Sequence, residues 1–345
     1  MQSHHRKNHA TIEDVAARAA VSIATVSRVM NGTAPVSIEP RKRVLAAVEE
    51  LGFVPQRAAR NLASQHTDTI GLIIPEVTSD FFIPMLRGVE TTAHAAGFDL
   101  LVSIQPAGGS SIRGRRALGE HNSDGLVIFV GEMDDEEIER LARRGFPVVL
   151  LYRPAPPHTH IPVVTIENKA GARSIVNHLL EVHGYRRIAL LRGPLNSPDA
   201  FLREQGYREA LIEQGVGVDE SLIFMGDFSE RVSRRATEVF LQAGVKPQAI
   251  FATDDSSAVG SMQALQAAGL RVPEDIAVVG FDDLPFSRYL NPALTTVRAP
   301  TEQVGSEAVR LLIELIHEQF APLETLLPTK LVVRRSCGCT EFKPD

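Results

Sequence analysis

The chain has 345 residues, 44% of them hydrophobic and 23% charged, with a formal net charge of −6 and two cysteines. That length accommodates a small domain plus a two-lobed core, while the composition excludes a disulfide framework and a globally basic protein. No apolar run approaches the ~20 residues of a membrane span, and no apolar core follows the charged N-terminus, so a cytoplasmic location and no membrane partner are expected.

The charge is unevenly spread. Residues 1–66 hold nine Lys/Arg against five acids, a net +4, which leaves −10 on the remainder. A basic head and an acidic body suit a protein whose first segment is drawn to phosphate.

Residues 11–31 read TIEDVAARAAVSIATVSRVMN. Thr11 followed by Asp14 predicts a near capping box, and Ile12, Val15, Ala16 and Ala19 fall on one helical face. A break at Ala19-Ala20-Val21 precedes a second helix from Ser22 to Met30, with Ala20 where such turns commonly carry glycine. Val21, Val26 and Val29 are expected to bury against the first helix. Ser22, Ile23, Ala24, Thr25, Ser27 and Arg28 are then left facing outward, a surface that suits a DNA major groove. Asn31-Gly32 reads as a C-cap. A third helix is expected over 41–51, opening on Arg41-Lys42-Arg43, burying Val44, Leu45 and Val48, and stopping at Gly52.

From residue 68 strand and helix patterns alternate. Apolar runs at 70–74, 100–104, 126–130 and 148–151 are separated by helical patterns at 82–96, near 112–120, and at 134–143. The alternation repeats with strands at 188–191, 222–225, 249–252 and 277–281 and helices at 168–182, 198–214, 229–243 and 256–268. This predicts two doubly wound α/β lobes, which bind ligands in the cleft at the carboxyl ends of their strands. A helix at 301–318 and a strand at 331–334 are expected to recross between the lobes.

No dinucleotide, Walker, metalloprotease or nucleophile-elbow motif is present, so an enzyme, a cofactor and a catalytic residue are not expected. His158-Thr159-His160 reads as a solvated turn. Cys337 and Cys339 show no partner pair in sequence and read as a structural tail, so no metal is expected.

The run TIEDVAARAAVSIATVSRVMNG, then VLAAVEELGFVPQRAARNLAS, then TIGLIIP resembles the start of a LacI/GalR-family transcriptional regulator, and the likeness extends over essentially the whole chain. It implies a small all-α helix-turn-helix head on a periplasmic-binding-protein-like body of two α/β lobes. The implied division is a flexible arm at 1–10, the DNA-binding domain at 11–54, and a hinge helix and linker at 55–67. A two-lobed effector-binding and dimerisation domain follows at 68–340, with a tail at 341–345. The first lobe takes about 68–166 and 297–322, the second about 167–296 and 323–340.

Carried over by position, Ile23, Ala24 and Arg28 fall where the family reads base edges, with Arg28 suited to pair bidentately with guanine. Ser22, Thr25, Ser27 and Asn31 fall among phosphate-positioning residues. Arg57, Ala59, Leu62 and Ala63 lie in the implied hinge helix, with Leu62 at the minor-groove wedge position and Ala59 small enough for two helices to approach. A flexible linker with an incidental leucine is the alternative there.

The implied effector residues are Asp80, Phe81, Glu167, Ser197, Arg203, Phe228, Asp254 and Asp282. Phe82 falls there too, although core packing explains it equally well. Arg with Asp suits vicinal hydroxyls, and phenylalanine suits a flat ring face. Glu167 departs from the aspartate usual in the family, and Ser197 from the arginine of its purine-responsive branch. The resemblance therefore implies a repressor that binds a palindromic operator as a homodimer, with a small carbohydrate-like effector. A purine-responsive regulator of the same family and an exported sugar-binding protein without DNA function are the alternatives.

Overall fold

The computed structural model describes residues 10–31, 34–53, 66–105, 118–131 and 133–340. Their contacts separate two units, 1–67 and 68–345.

In the first unit, helices Ile12–Ala19, Ile23–Asn31 and Ile38–Leu51 enclose a core of Val15, Ala16, Ala19, Val26, Val44 and Ala47. Val21 and Val29 pack at its edge. The third helix begins three residues earlier than the sequence pattern suggests. Pro40 sits inside its first turn, where the missing N–H would have no helical partner in any case. Leu45, expected in the core, is 49% exposed, because the helix turns Val44 and Ala47 inward instead.

In the second unit, strands β1 (Thr69–Ile74), β2 (Asp99–Ile104), β3 (Gly125–Phe129), β4 (Val148–Leu151), β5 (Val163–Ile166) and β11 (Glu324–Leu327) form one sheet. Its order is β11-β5-β4-β3-β1-β2 and all its pairings are parallel. A second parallel sheet, ordered β7-β6-β8-β9, holds β6 (Ile188–Arg192), β7 (Ile223–Met225), β8 (Ala249–Ala252) and β9 (Ala277–Val279). Burial on both faces accounts for the near-continuous apolar runs of β1, β4 and β8. β10 (Thr296–Arg298) and β12 (Lys330–Val332) pair antiparallel as a separate ribbon.

Several expectations change here. β5, β10 and β11 are strands that the periodicity does not mark. β11 pairs with β5 in the first sheet, so the stretch 323–327 belongs there rather than with the second lobe. Of the helix expected near 112–120, residues 118–120 are bend and turn, and 112–117 lie outside the described residues. The thiols also have a partner pair after all. His178 and His183, distant in sequence, lie beside Cys337 and Cys339.

Helix Asn168–Glu181 packs on helix Pro198–Glu213, and their backbones meet at Gly206. A Cβ there would fall 2.3 Å from the Lys169 carbonyl oxygen. This close crossing brings Asn168 and Arg203 together.

Candidate functional sites

The head presents one face built by capping. Thr11 N–H donates to Asp14 Oδ2 (2.8 Å) and Asp14 N–H to Thr11 Oγ1 (3.3 Å), closing a full capping box. The first helix stops at Ala20, whose φ of 48° and ψ of 52° are left-handed. Ser22 then opens the second helix by accepting from Thr25 N–H (3.2 Å), with the two hydroxyls 2.9 Å apart.

With Val26 buried, Ser22, Ile23, Ala24 and Arg28 are exposed and Thr25 and Ser27 half-buried. Ile23 is 47% exposed, so it is not a packed helix-start residue. Arg18 donates to Glu50 (3.0 Å), tying the first helix to the third, whereas Arg41, Lys42 and Arg43 stand exposed. Asn31 is the last residue of the second helix. The hinge positions Arg57, Ala59, Leu62 and Ala63 lie outside the described residues.

In the body, a cavity of about 440 Å³ opens where the carboxyl ends of both sheets face each other. One wall follows β1 and β3 and is aromatic: Phe81, Phe82, Phe129 and, behind them, Tyr152 have ring centroids 5.1–6.2 Å apart. The other wall follows β6, β8 and β9 and is polar, with Ser197, Asp199, Arg203, Asp254 and Asp282. Phe228 overlies this wall because Gly193 leaves room; a Cβ on Gly193 would be 2.5 Å from its ring.

Arg203 is the centre of the polar wall, 3% exposed. It donates to Asn168 Oδ1 (2.8 Å) and the Thr253 carbonyl (2.6 Å), and its guanidinium lies 3.8 Å from the Phe281 ring centroid. Asn168 passes the network on by donating to Asp199 Oδ1 (2.8 Å). Asp282 Oδ1 stands 3.1 Å from Arg203 Nη2 as an ion pair, without the alignment of a hydrogen bond. Asp254 caps helix Asp255–Ala267 through Oδ2, accepting from Ser256 and Ser257 N–H, while its Oδ1 has no hydrogen-bond partner among the described residues.

Burial pushes Asp199 up to about 6 against the pull of Arg203. Burial also raises Asp254 and holds Asp282 well above the ordinary carboxylate range, where neighbouring Asp255, Asp254 and Asp199 add to the shift. Three carboxyls therefore share one guanidinium, and among the described residues Oδ1 of Asp254 and Oδ1 of Asp282 have no hydrogen-bond partner, the latter facing Arg203 as an ion pair. Such oxygens call for a hydrogen-bond donor. A further anion in this wall would meet repulsion; a neutral ligand with hydroxyls would supply what is missing.

Asp282 is held in place with backbone strain. Its φ is 108° and that of Asp283 is 55°. Asp283 accepts from Arg298 Nε on β10 (2.7 Å) and from Arg334 Nη2 just beyond β12 (2.7 Å). The cleft carboxylate thus sits one residue from the segments that connect the two sheets.

Of the residues singled out in sequence, Phe81, Phe82, Ser197, Arg203, Phe228, Asp254 and Asp282 line the cavity. Phe82 is 5% exposed and belongs mainly to the core. The Ser197 hydroxyl accepts from Ala200 N–H (3.2 Å) as a helix cap. Asp80 and Glu167 are not among the lining residues. Asp80 is exposed, and Glu167 precedes helix Asn168–Glu181 with its N–H bonded to the Leu327 carbonyl (2.9 Å). Sequence reasoning missed Asn168, Asp199 and Phe129. Asp199 carried one legible signal, its place just after a Ser-Pro helix start. His158 and His160 are exposed and are not among the residues that line the cavity.

A cleft between two parallel sheets, with a separate three-helix head, defines a ligand-binding body joined to a DNA-binding module. Residues 11–56 match the lacI family of bacterial regulatory proteins, and residues 176–337 match the periplasmic binding protein-like domain. The regulator CelR of Thermobifida fusca is 36% identical over 96% of this chain and 99% of its own length. The ribose operon repressor of Halalkalibacterium halodurans is 37% identical over 94% and 96% respectively.

Among solved structures, a CelR–cellobiose complex aligns with a TM-score of 0.70 at 35% identity, covering 95% of this chain and 99% of that one. A lac repressor dimer bound to operator and the anti-inducer ONPF aligns at 0.80 and 30%, with the same coverage. The chain belongs to the LacI family of transcriptional regulators. Among the described residues, no helix is long and apolar enough to cross a membrane.

Proposed function

We propose that this regulator is a repressor that binds a palindromic operator as a homodimer and releases or recruits it through a neutral, carbohydrate-like effector held in the cleft. The observation that carries the effector reading is the pair of buried oxygens on Asp254 and Asp282 that have no hydrogen-bond partner among the described residues, the Asp282 one meeting Arg203 only as an ion pair. Together with the aromatic wall opposite, they fit a polyhydroxylated ring better than a charged ligand. The relatives add support, since one is a cellobiose complex and another a ribose operon repressor.

On the DNA side, Ile23, Ala24 and Arg28 read bases, and Ser22, Thr25, Ser27 and Asn31 position phosphates. Arg57, Ala59, Leu62 and Ala63 form the hinge, with Leu62 as the wedge. Val102 and Ile104 on one face of edge strand β2 and Leu101 on the other are exposed, apolar surface that suits pairing of two bodies. Effector binding acts on the DNA through Asp282, whose neighbour Asp283 grips both connecting segments. A change in sheet-to-sheet closure is thereby transmitted to the crossing ribbon.

The purine-responsive reading has one relative in its favour, a PurR of Aliivibrio salmonicida at 34% identity. Ser197 and the surplus of carboxyls argue for sugars instead. A thermal-shift screen of mono- and disaccharides against nucleobases separates the two. A sugar at ~100 times its dissociation constant is expected to add ~2.7 kcal/mol. The same sugar is expected to change a gel-shift on duplex from the gene's own upstream region. A nucleobase that stabilises where no sugar does would sink the carbohydrate reading.

A further inference from the structure

Behind the second sheet, away from the cleft, four side chains converge that the regulator's function does not use. His178 near the end of helix Asn168–Glu181, His183 five residues on, and Cys337 and Cys339 from the C-terminal segment offer one ligand atom each, all within 4.8 Å of one another. Cys339 Sγ lies 3.4 Å from His183 Nε2 and 3.6 Å from His178 Nε2.

A tetrahedral zinc site with Zn–S near 2.3 Å and Zn–N near 2.0–2.1 Å separates its ligand atoms by about 3.3–3.8 Å. The observed sulfur–nitrogen distances already fall in that range. Two sulfurs and two nitrogens are also the donor set that selects zinc over hard cations.

The local structure is shaped for this convergence. The His-x₄-His spacing is within the usual range for a structural zinc site, whereas Cys-x-Cys is tighter than usual. Gly338 makes the tight spacing possible with a φ of 106°, and a Cβ there would touch the His183 ring at 3.4 Å. Cys337 is fully buried and accepts from Thr295 Oγ1 (3.2 Å), the outer contact a bound thiolate needs. His183 is stacked on Tyr185, centroids 5.3 Å apart, which fixes its ring plane.

We propose that His178, His183, Cys337 and Cys339 bind a structural Zn²⁺ that fastens the C-terminal segment to the second sheet's layer of helices. Four protein ligands complete a tetrahedron, so the site is structural rather than catalytic. Its effect is to secure the chain after its last crossing. Asn168 and His178 stand ten residues apart on one helix, about 15 Å along its axis, so the site anchors the end remote from the Arg203 network.

The test uses the full-length, tag-free reduced chain, loaded with Zn²⁺ and dialysed against metal-free buffer. One equivalent of zinc per chain is expected. Co²⁺ in its place should give the intense ligand-field bands and thiolate charge-transfer absorption of a tetrahedral sulfur-containing site. Cys339→Ser and His178→Ala, confirmed as folded by circular dichroism, should lose both signals. Chelator should lower the melting temperature of the wild-type chain and leave that of the variants unchanged. Zinc well below one equivalent, a cobalt spectrum of the octahedral type, or variants that retain the wild-type content would each overturn the proposal. Because the readouts are metal content, spectrum and stability, they hold whether or not the effector is a sugar.

Discussion

At the scale of single residues, the head and the cleft rely on opposite electrostatic situations. Arg28 is exposed, and in its proposed role it acts only when a guanine is brought to it. Arg28→Ala is expected to cost about 1–3 kcal/mol of discrimination at one operator base pair while other positions keep their preference. Anisotropy titrations on operators substituted base by base check this, and a uniform loss on every duplex would reassign Arg28 to phosphate contact.

Asp282 is the reverse case, a buried acceptor whose charge is costly to the empty protein. Asp282→Asn removes that cost, so the ligand-free melting temperature should hold or rise. It also removes an acceptor for a hydroxyl, worth about 1.5–3 kcal/mol for a charged bond, so sugar affinity should fall at least tenfold. Calorimetry that finds affinity unchanged would place the ligand elsewhere in the cavity.

At the scale of elements, the site depends on one helix crossing. Gly206→Ala puts a methyl 2.3 Å from the Lys169 carbonyl oxygen, a backbone atom that cannot rotate away. The helices must separate, with a loss of about 1–3 kcal/mol in unfolding free energy and weaker effector binding, because Asn168 and Arg203 part. Denaturation showing wild-type stability would mean the helix pair is more pliable than its packing suggests.

Elements of this length were also the most legible in sequence. Helices such as Pro198–Glu213 and buried strands such as β1 announce themselves by period and apolar run. β11 was not legible because its four residues alternate only weakly and its identity comes from lying beside β5. The same holds within the sites. Arg203 and Asp282 were placed by resemblance, but Asn168, Asp199 and the His178–His183 pair matter through neighbours 31 to 161 residues away. Such pairings have no local signature.

At the scale of the whole molecule, buried carboxyls make stability depend on pH. Asp255 is fully buried and accepts from Leu284 N–H, Ser287 Oγ and Thr296 Oγ1. Burial nevertheless pushes it up to about 7 from an ordinary 3.8. The folded state therefore binds a proton that the unfolded chain releases until far lower pH. Between those two values stability rises as pH falls, and above about 7 that gain is absent. Unfolding of the ligand-free chain is expected to be more difficult at pH 6 than at pH 8, with the difference reduced in Asp255→Asn. A pH profile identical in the variant would remove Asp255 as its source.

The two walls of the cleft differ in chemistry, and for the effector proposed to bind there this predicts a time order. The polar wall is complete on the second sheet: Arg203, Asp254 and Asp282 need nothing from the first to hold their positions. The aromatic wall can only cover what has already landed. A ligand should therefore engage the polar wall first and be trapped when Phe81 and Phe129 close on it. Changes at Phe81 would then speed departure with little effect on arrival, and changes at Asp282 would act on both. On the proposed reading, residence time, and with it the duration of the response at the operator, would be set by apolar side chains that form no hydrogen bond with the effector. Those positions can vary to tune persistence while the charged network stays intact.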